Sequence, residues 1–231
     1  MRWTVLPYLL CLLSIEARAD SRLLNELDSH SLLLCASAML YFDPREREPD
    51  TRSLTAVYHH LNTLETDVLQ LTQPPQLAQP LKVMQELFRE LDGLPRAQRQ
   101  RYPELISRLL EQRRQLGDAA IRELDQGGAK AQPFGEQSRD MASLLLDYQL
   151  RHYPLPQREG WLLPPERLAE LDRNIEQRFD QLQAAHPPEA AALVKIRASY
   201  RFVSKQLQQA RSEGNGGAEF YLSRAVLDLD D

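Results

Sequence analysis

The chain has 231 residues, with 28 Lys and Arg against 33 Asp and Glu, for a formal charge of −5. That balance argues against a nucleic-acid binder, and two cysteines cannot staple a disulfide scaffold or fill a four-cysteine zinc site. Nine glycines are few for a β-rich chain of tight turns, while 42% hydrophobic and 26% charged residues fit a folded globular protein.

Residues 1–19 read as a secretory signal. Arg2 supplies the charged start, Trp3 to Ile15 form a short apolar run, and Ala17-Arg18-Ala19 matches the small-x-small cleavage pattern. The run is shorter than the roughly 20 residues a membrane helix needs. Cys11 has no small residue immediately before it, which argues against a lipoprotein. Cleavage after Ala19 leaves Cys35 as the only cysteine, set among Leu32, Leu33, Leu34 and Ala36. Those neighbours suit a buried thiol acting as a small hydrophobe. The expected location is the bacterial periplasm or the exterior, with no transmembrane segment in the mature chain.

Everything after the signal reads as helix. The first runs over Ser21–Phe42 on a 3-4-3-4-3 seam of Leu24, Leu27, Ser31, Leu34, Ala38 and Tyr41, widened by Leu23, Leu33, Met39 and Phe42. That breadth of apolar surface makes it the helix expected to be most buried. A proline-bounded charged loop follows, then a second helix from Thr51 carrying Leu54, Val57, Leu61, Leu64, Val68 and Leu71. Pro74-Pro75 stops it. A third helix carries Leu81, Met84, Leu87, Phe88 and Leu91. A fourth, Pro103 to Asp125, carries Ile106, Leu109, Leu110, Leu116 and Ala120, with Gly117 as an expected weak point.

The glycine-rich run 127–136 reads as a linker. Three more helices follow: Gln137–Tyr153, one carrying Leu168, Leu171, Ile175, Phe179 and Leu182, and one carrying Leu193, Ile196, Tyr200, Val203 and Leu207. No segment alternates with period two. The expected fold is all-α, an antiparallel bundle of about six to seven helices with coiled-coil-like seams.

The second half also echoes the first. At an offset of 112, Asp28 falls on Asp140, Ser31 to Leu34 on Ser143 to Leu146, and Tyr41 on Tyr153; one residue later, Pro74-Pro75 falls on Pro187-Pro188. This suggests an internal repeat of two tandem three-helix units, 20–126 and 137–213, with the fourth helix as a bridge.

Motifs that carry chemistry are scarce. No Cys-x-x-Cys-His, His-Glu-x-x-His, phosphate-binding glycine loop or Gly-x-Ser-x-Gly occurs. A site made by His30 with His59 or His60 is conceivable, but His30 stands near the expected start of its helix and the pair stands mid-helix. These histidines therefore read as surface or interhelical groups, and no metal, cofactor or catalytic residue is expected. Glu86/Glu90 and Glu166/Glu170 read as solvated helix faces.

Two features point to a partner. Arg96, Arg99, Arg101 and Arg108 cluster around the turn before the fourth helix, with guanidinium groups suited to carboxylates and phosphates. The segment 214–231 reads as a flexible amphipathic acidic tail, in which Leu222, Val226 and Leu229 share a helical face beside Phe220. Such a tail docks either into its own bundle or into a partner's groove. The expected function is therefore a non-catalytic periplasmic binding protein, acting on another envelope protein through a groove or this tail. The alternative is a small-ligand sensor or carrier that binds between its helices.

Overall fold

A computed structural model describes residues 5–45, 51–126, 132–208 and 215–230, with side chains over 21–45, 51–126, 132–207 and 217–230. The described residues form eight α-helices and no strand: α1 (Val5–Tyr41), α2 (Thr51–Gln70), α3 (Pro75–Gly93), α4 (Tyr102–Gln126), α5 (Pro133–His152), α6 (Pro165–Ala185), α7 (Ala190–Gln208) and α8 (Asn215–Asp230). The all-α expectation holds. Among the described residues no helix is long and apolar enough to cross a membrane.

Prolines set several starts. Pro75, Pro133 and Pro165 each stand at the first position of a helix, where a missing N–H costs nothing. For this reason α5 begins at Pro133, inside the run expected to be a linker, of which 127–131 lie outside the described residues. α1 extends upstream of Ser21 to Val5, because no breaker separates the two stretches. Cleavage after Ala19 would leave its Asp20–Tyr41 portion.

The helices pack in two sets. α1 and α3 both flank α2, and α4 packs on α3 and returns to α1. In the second set α6 lies against α5 and α7, while α8 packs on α7 and returns to α5. The sets meet where α1 packs along α5, with α8 also touching α1. Sequence reading made the fourth helix a bridge between units. Its apolar stripe of Leu105, Ile106, Leu109, Leu110 and Leu116 is buried, with α4 packed on α1 and α3.

α1 is the central helix. Every residue from Leu23 to Met39 is buried, polar ones included, because α2, α4, α5 and α8 surround it. Fully buried leucines such as Leu27, Leu33 and Leu34 each contribute about 1.5–3 kcal/mol relative to exposure. Cys35 is buried among them as a free thiol, and burial pushes it up to about 12. It is an inert core group.

Two glycines allow close helix approach. A Cβ on Gly135 of α5 would stand 2.6 Å from Cβ and Cγ of Asn25 on α1. A Cβ on Gly117 of α4 would stand 2.6 Å from Oδ1 of Asp28. Gly117 therefore seats α4 against α1, and the helix runs through it unbroken. At the other end of α1, the Tyr153 hydroxyl donates to the Phe42 carbonyl at 2.9 Å, tying the two sets together.

Candidate functional site

The candidate site lies toward the end of the bundle where α1 leaves Ser21 and α8 finishes. α1 and α2 run antiparallel across a short loop. His30 stands 11 residues before Tyr41 and His60 nine residues after Thr51, about 16 Å and 14 Å along their helices at 1.5 Å per residue. The two rings therefore meet at one level.

Nδ1 of His30 lies 3.1 Å from Nδ1 of His60. Their ring centroids are 5.1 Å apart, and His59 joins them at 5.9 Å from His30 and 5.3 Å from His60. One ring nitrogen from each of the three lies within 4.8 Å of the others. His30 and His60 are buried, at 4% and 1% exposure, while His59 is exposed. Burial, reinforced by the neighbouring His59, holds His30 down to about 4; burial also holds His60 well below its usual range, with His30 and His59 adding to it. Both buried rings are neutral at physiological pH.

The second nitrogen of His30, Nε2, faces Oδ2 of Asp230 at 3.8 Å. Ser29 donates its hydroxyl to the same oxygen at 3.1 Å. The last turn of α8 thus brings a carboxylate over the histidines. A cavity of about 220 Å³, lined by His30, His59, Thr63, Leu227, Glu26 and Asp230, opens onto them. Arg22 borders it and pairs with Glu26 at 3.3 Å.

Beside it lies a larger cleft of about 290 Å³ between α1, α5, α7 and α8. Phe134, Ala192, Leu193, Ile196 and Leu229 form its apolar wall. Glu26, Glu189, Asp228 and Asp230 supply four carboxylates against the single guanidinium of Arg22. The cleft is thus apolar inside and acidic at its rim.

The residues expected from sequence are dispersed. Leu222, Val226 and Leu229 are buried in α8, so of its two expected destinations the segment takes its own bundle. Its apolar face packs beside α5 and α7, which buries those three side chains, with Leu229 also lining the cleft. Phe220 points outward at 56% exposure, next to Tyr221 at 39% and Phe202 of α7 at 71%. Arg96, Arg99, Arg101 and Arg108 are exposed at the opposite end. Arg101 and Arg108 reach Glu90 at 3.1 and 3.9 Å. Arg96 and Arg99 border a cavity of about 160 Å³ with Tyr41, Asp43 and Asp92.

The histidine group is what sequence reading set aside. Counting back from the α1–α2 loop, rather than forward from the expected helix start, is the signal that would have found it. No family model, curated protein or solved structure matches the chain.

Proposed function

We propose that the protein is a non-catalytic binding protein of the cell envelope that takes a small ligand between its helices, in the cleft formed by α1, α5, α7 and α8. The signal pattern at 1–19 supports the location. The observation that carries the reading is the cleft itself: about 290 Å³, apolar within, with four carboxylates and one arginine around it. Small-ligand sites commonly combine an apolar wall with a few polar groups that orient the ligand. Here the excess of carboxylates selects a ligand with an apolar body and a positively charged group.

Isothermal titration with octylamine and with octanoate tests this. Saturable one-to-one binding of the amine, without binding of the carboxylate, supports the reading. The double substitution Glu189→Gln and Asp228→Asn should weaken the amine roughly threefold to fivefold, the scale of exposed charge pairs. Equal affinity for both ligands, or no binding, contradicts it.

A second reading keeps the envelope partner protein. It is favoured by the exposed aromatic ridge of Phe202, Phe220 and Tyr221, in which Tyr221 meets both phenylalanines with ring centroids 4.9 and 5.3 Å apart. Exposed aromatic clusters of this kind mark interaction surfaces. Capture from envelope extracts by the wild type, lost with Phe202→Ser and Phe220→Ser together, would support it. Identical capture by both would dismiss it.

A further inference from the structure

We infer that His30, His59 and His60 form a binding site for a zinc-class transition-metal dication, with Asp230 of α8 as the positioning carboxylate behind His30. The histidine site is distinct from the proposed amine cleft, although Arg22, Glu26 and Asp230 border both.

The geometry is that of a three-nitrogen metal site. Two ligands about 2.0–2.1 Å from a tetrahedral zinc stand about 3.3 Å apart. The His30 and His60 Nδ1 atoms are already 3.1 Å apart. His59 provides the third nitrogen within 4.8 Å of both, and because its ring is exposed it can close the remaining distance by a rotamer change. Neutral imidazole donors suit zinc, copper, nickel or cobalt, whereas magnesium and calcium prefer oxygen.

The outer groups fit as well. Metal-bound histidines usually direct their other N–H to a carboxylate, which fixes the tautomer and strengthens the donor. Asp230 faces Nε2 of His30 at 3.8 Å and is itself held by the Ser29 hydroxyl. With His30 protonated on Nε2, its Nδ1 presents a lone pair toward His60. His60 then donates its Nδ1 proton into the gap between the rings. A metal ion takes the place of that proton between the rings, and the same proton moves to Nε2 of His60. All three imidazoles remain neutral, so no net proton leaves the site.

Access and charge agree with this arrangement. The cavity of about 220 Å³ opens onto His30 and His59, leaving room for water as a fourth ligand. Its charged lining is Arg22 against Glu26 and Asp230, a balance that favours a cation. Sequence spacing hid the site because the ligands come from two helices and the carboxylate from a third.

The test is titration of tag-free protein with Co²⁺, followed by the visible ligand-field absorption of tetrahedral cobalt, then displacement by Zn²⁺. One cobalt per chain, displaced by one zinc, is expected. His59→Ala, at an exposed position that leaves the core intact by circular dichroism, should weaken binding at least tenfold. His186→Ala, remote from the group, should change nothing. Asp230→Asn should weaken binding about tenfold, as loss of an outer-shell carboxylate does. Absence of the cobalt band, or unchanged affinity in folded His59→Ala, overturns the site. The cobalt titration requires no organic ligand and the octylamine titration no metal, so either reading can fail alone.

Discussion

Nδ1 of His30 and Nδ1 of His60 face each other at 3.1 Å inside the bundle, each from a different helix. Only one proton fits between two such nitrogens, so one ring donates and the other accepts. That contact holds α1 against α2 without a metal, and it leaves two of three nitrogens in place for one.

Metal loading should stabilise the fold by mass action. At a free zinc concentration 100 times the dissociation constant, the gain is about 2.7 kcal/mol. Thermal unfolding should shift upward with zinc and return on chelation. At the same zinc concentration His59→Ala, binding at least tenfold more weakly, should gain no more than about 1.4 kcal/mol.

Asp67 is a second buried titratable group on α2, with Oδ2 lacking a hydrogen-bond partner among the described residues. Burial raises its carboxyl to about 6, opposed in part by Arg22 and assisted by Asp230. The unfolded chain ionises near 3.9, so the group favours folding below that pH. That contribution is lost as pH rises through about 6. Asp67→Asn should therefore raise stability by about 1–3 kcal/mol at pH 7.5 and much less at pH 4.5. Urea unfolding at the two pH values measures the difference.

Gly135 governs the α1–α5 crossing. Alanine gains about 1 kcal/mol over glycine in a helix, but here its Cβ would press on the base of the Asn25 side chain at 2.6 Å. Overpacking of this kind costs about 1–3 kcal/mol. Gly135→Ala should lower stability in urea, whereas Gly217→Ala in α8, with nothing within 4 Å, should leave it equal or higher.

Tyr153 closes the opposite end. Its hydroxyl is the donor to the Phe42 carbonyl, and its ring is buried. Tyr153→Phe leaves that carbonyl short of a partner and should cost about 1–2 kcal/mol. Chemical unfolding with an unchanged slope would confirm a local loss, rather than partial separation of the two helix sets.

The helices were legible because their seams and breakers are local. Leu24 to Tyr41 and Leu54 to Leu71 repeat at helical spacing, and the prolines act through a rule of the backbone alone, although taking Pro133 as linker instead of a first helical residue put the start of α5 at Gln137. Partnership between helices was less legible. The α8 seam of Leu222, Val226 and Leu229 indicated an apolar face, but its docking against α5 and α7 depends on groove shapes set by distant residues. Gly117 looked like a break because its role is contact with Asp28, and that contact is long-range. The histidines needed the register of α1 on α2, which follows from the loop position once α1 is seen to pass Ser21 without a break. Asp230 could be placed only after α8 was.

The most direct measurement is an anomalous difference map at the zinc edge from crystals of the zinc-loaded protein. The expected result is one strong peak about 2.0–2.1 Å from a ring nitrogen of each of His30, His59 and His60, with Asp230 hydrogen-bonded to the far nitrogen of His30. A map in which zinc binds elsewhere, or leaves the three rings without a peak at saturating metal, would contradict the assignment.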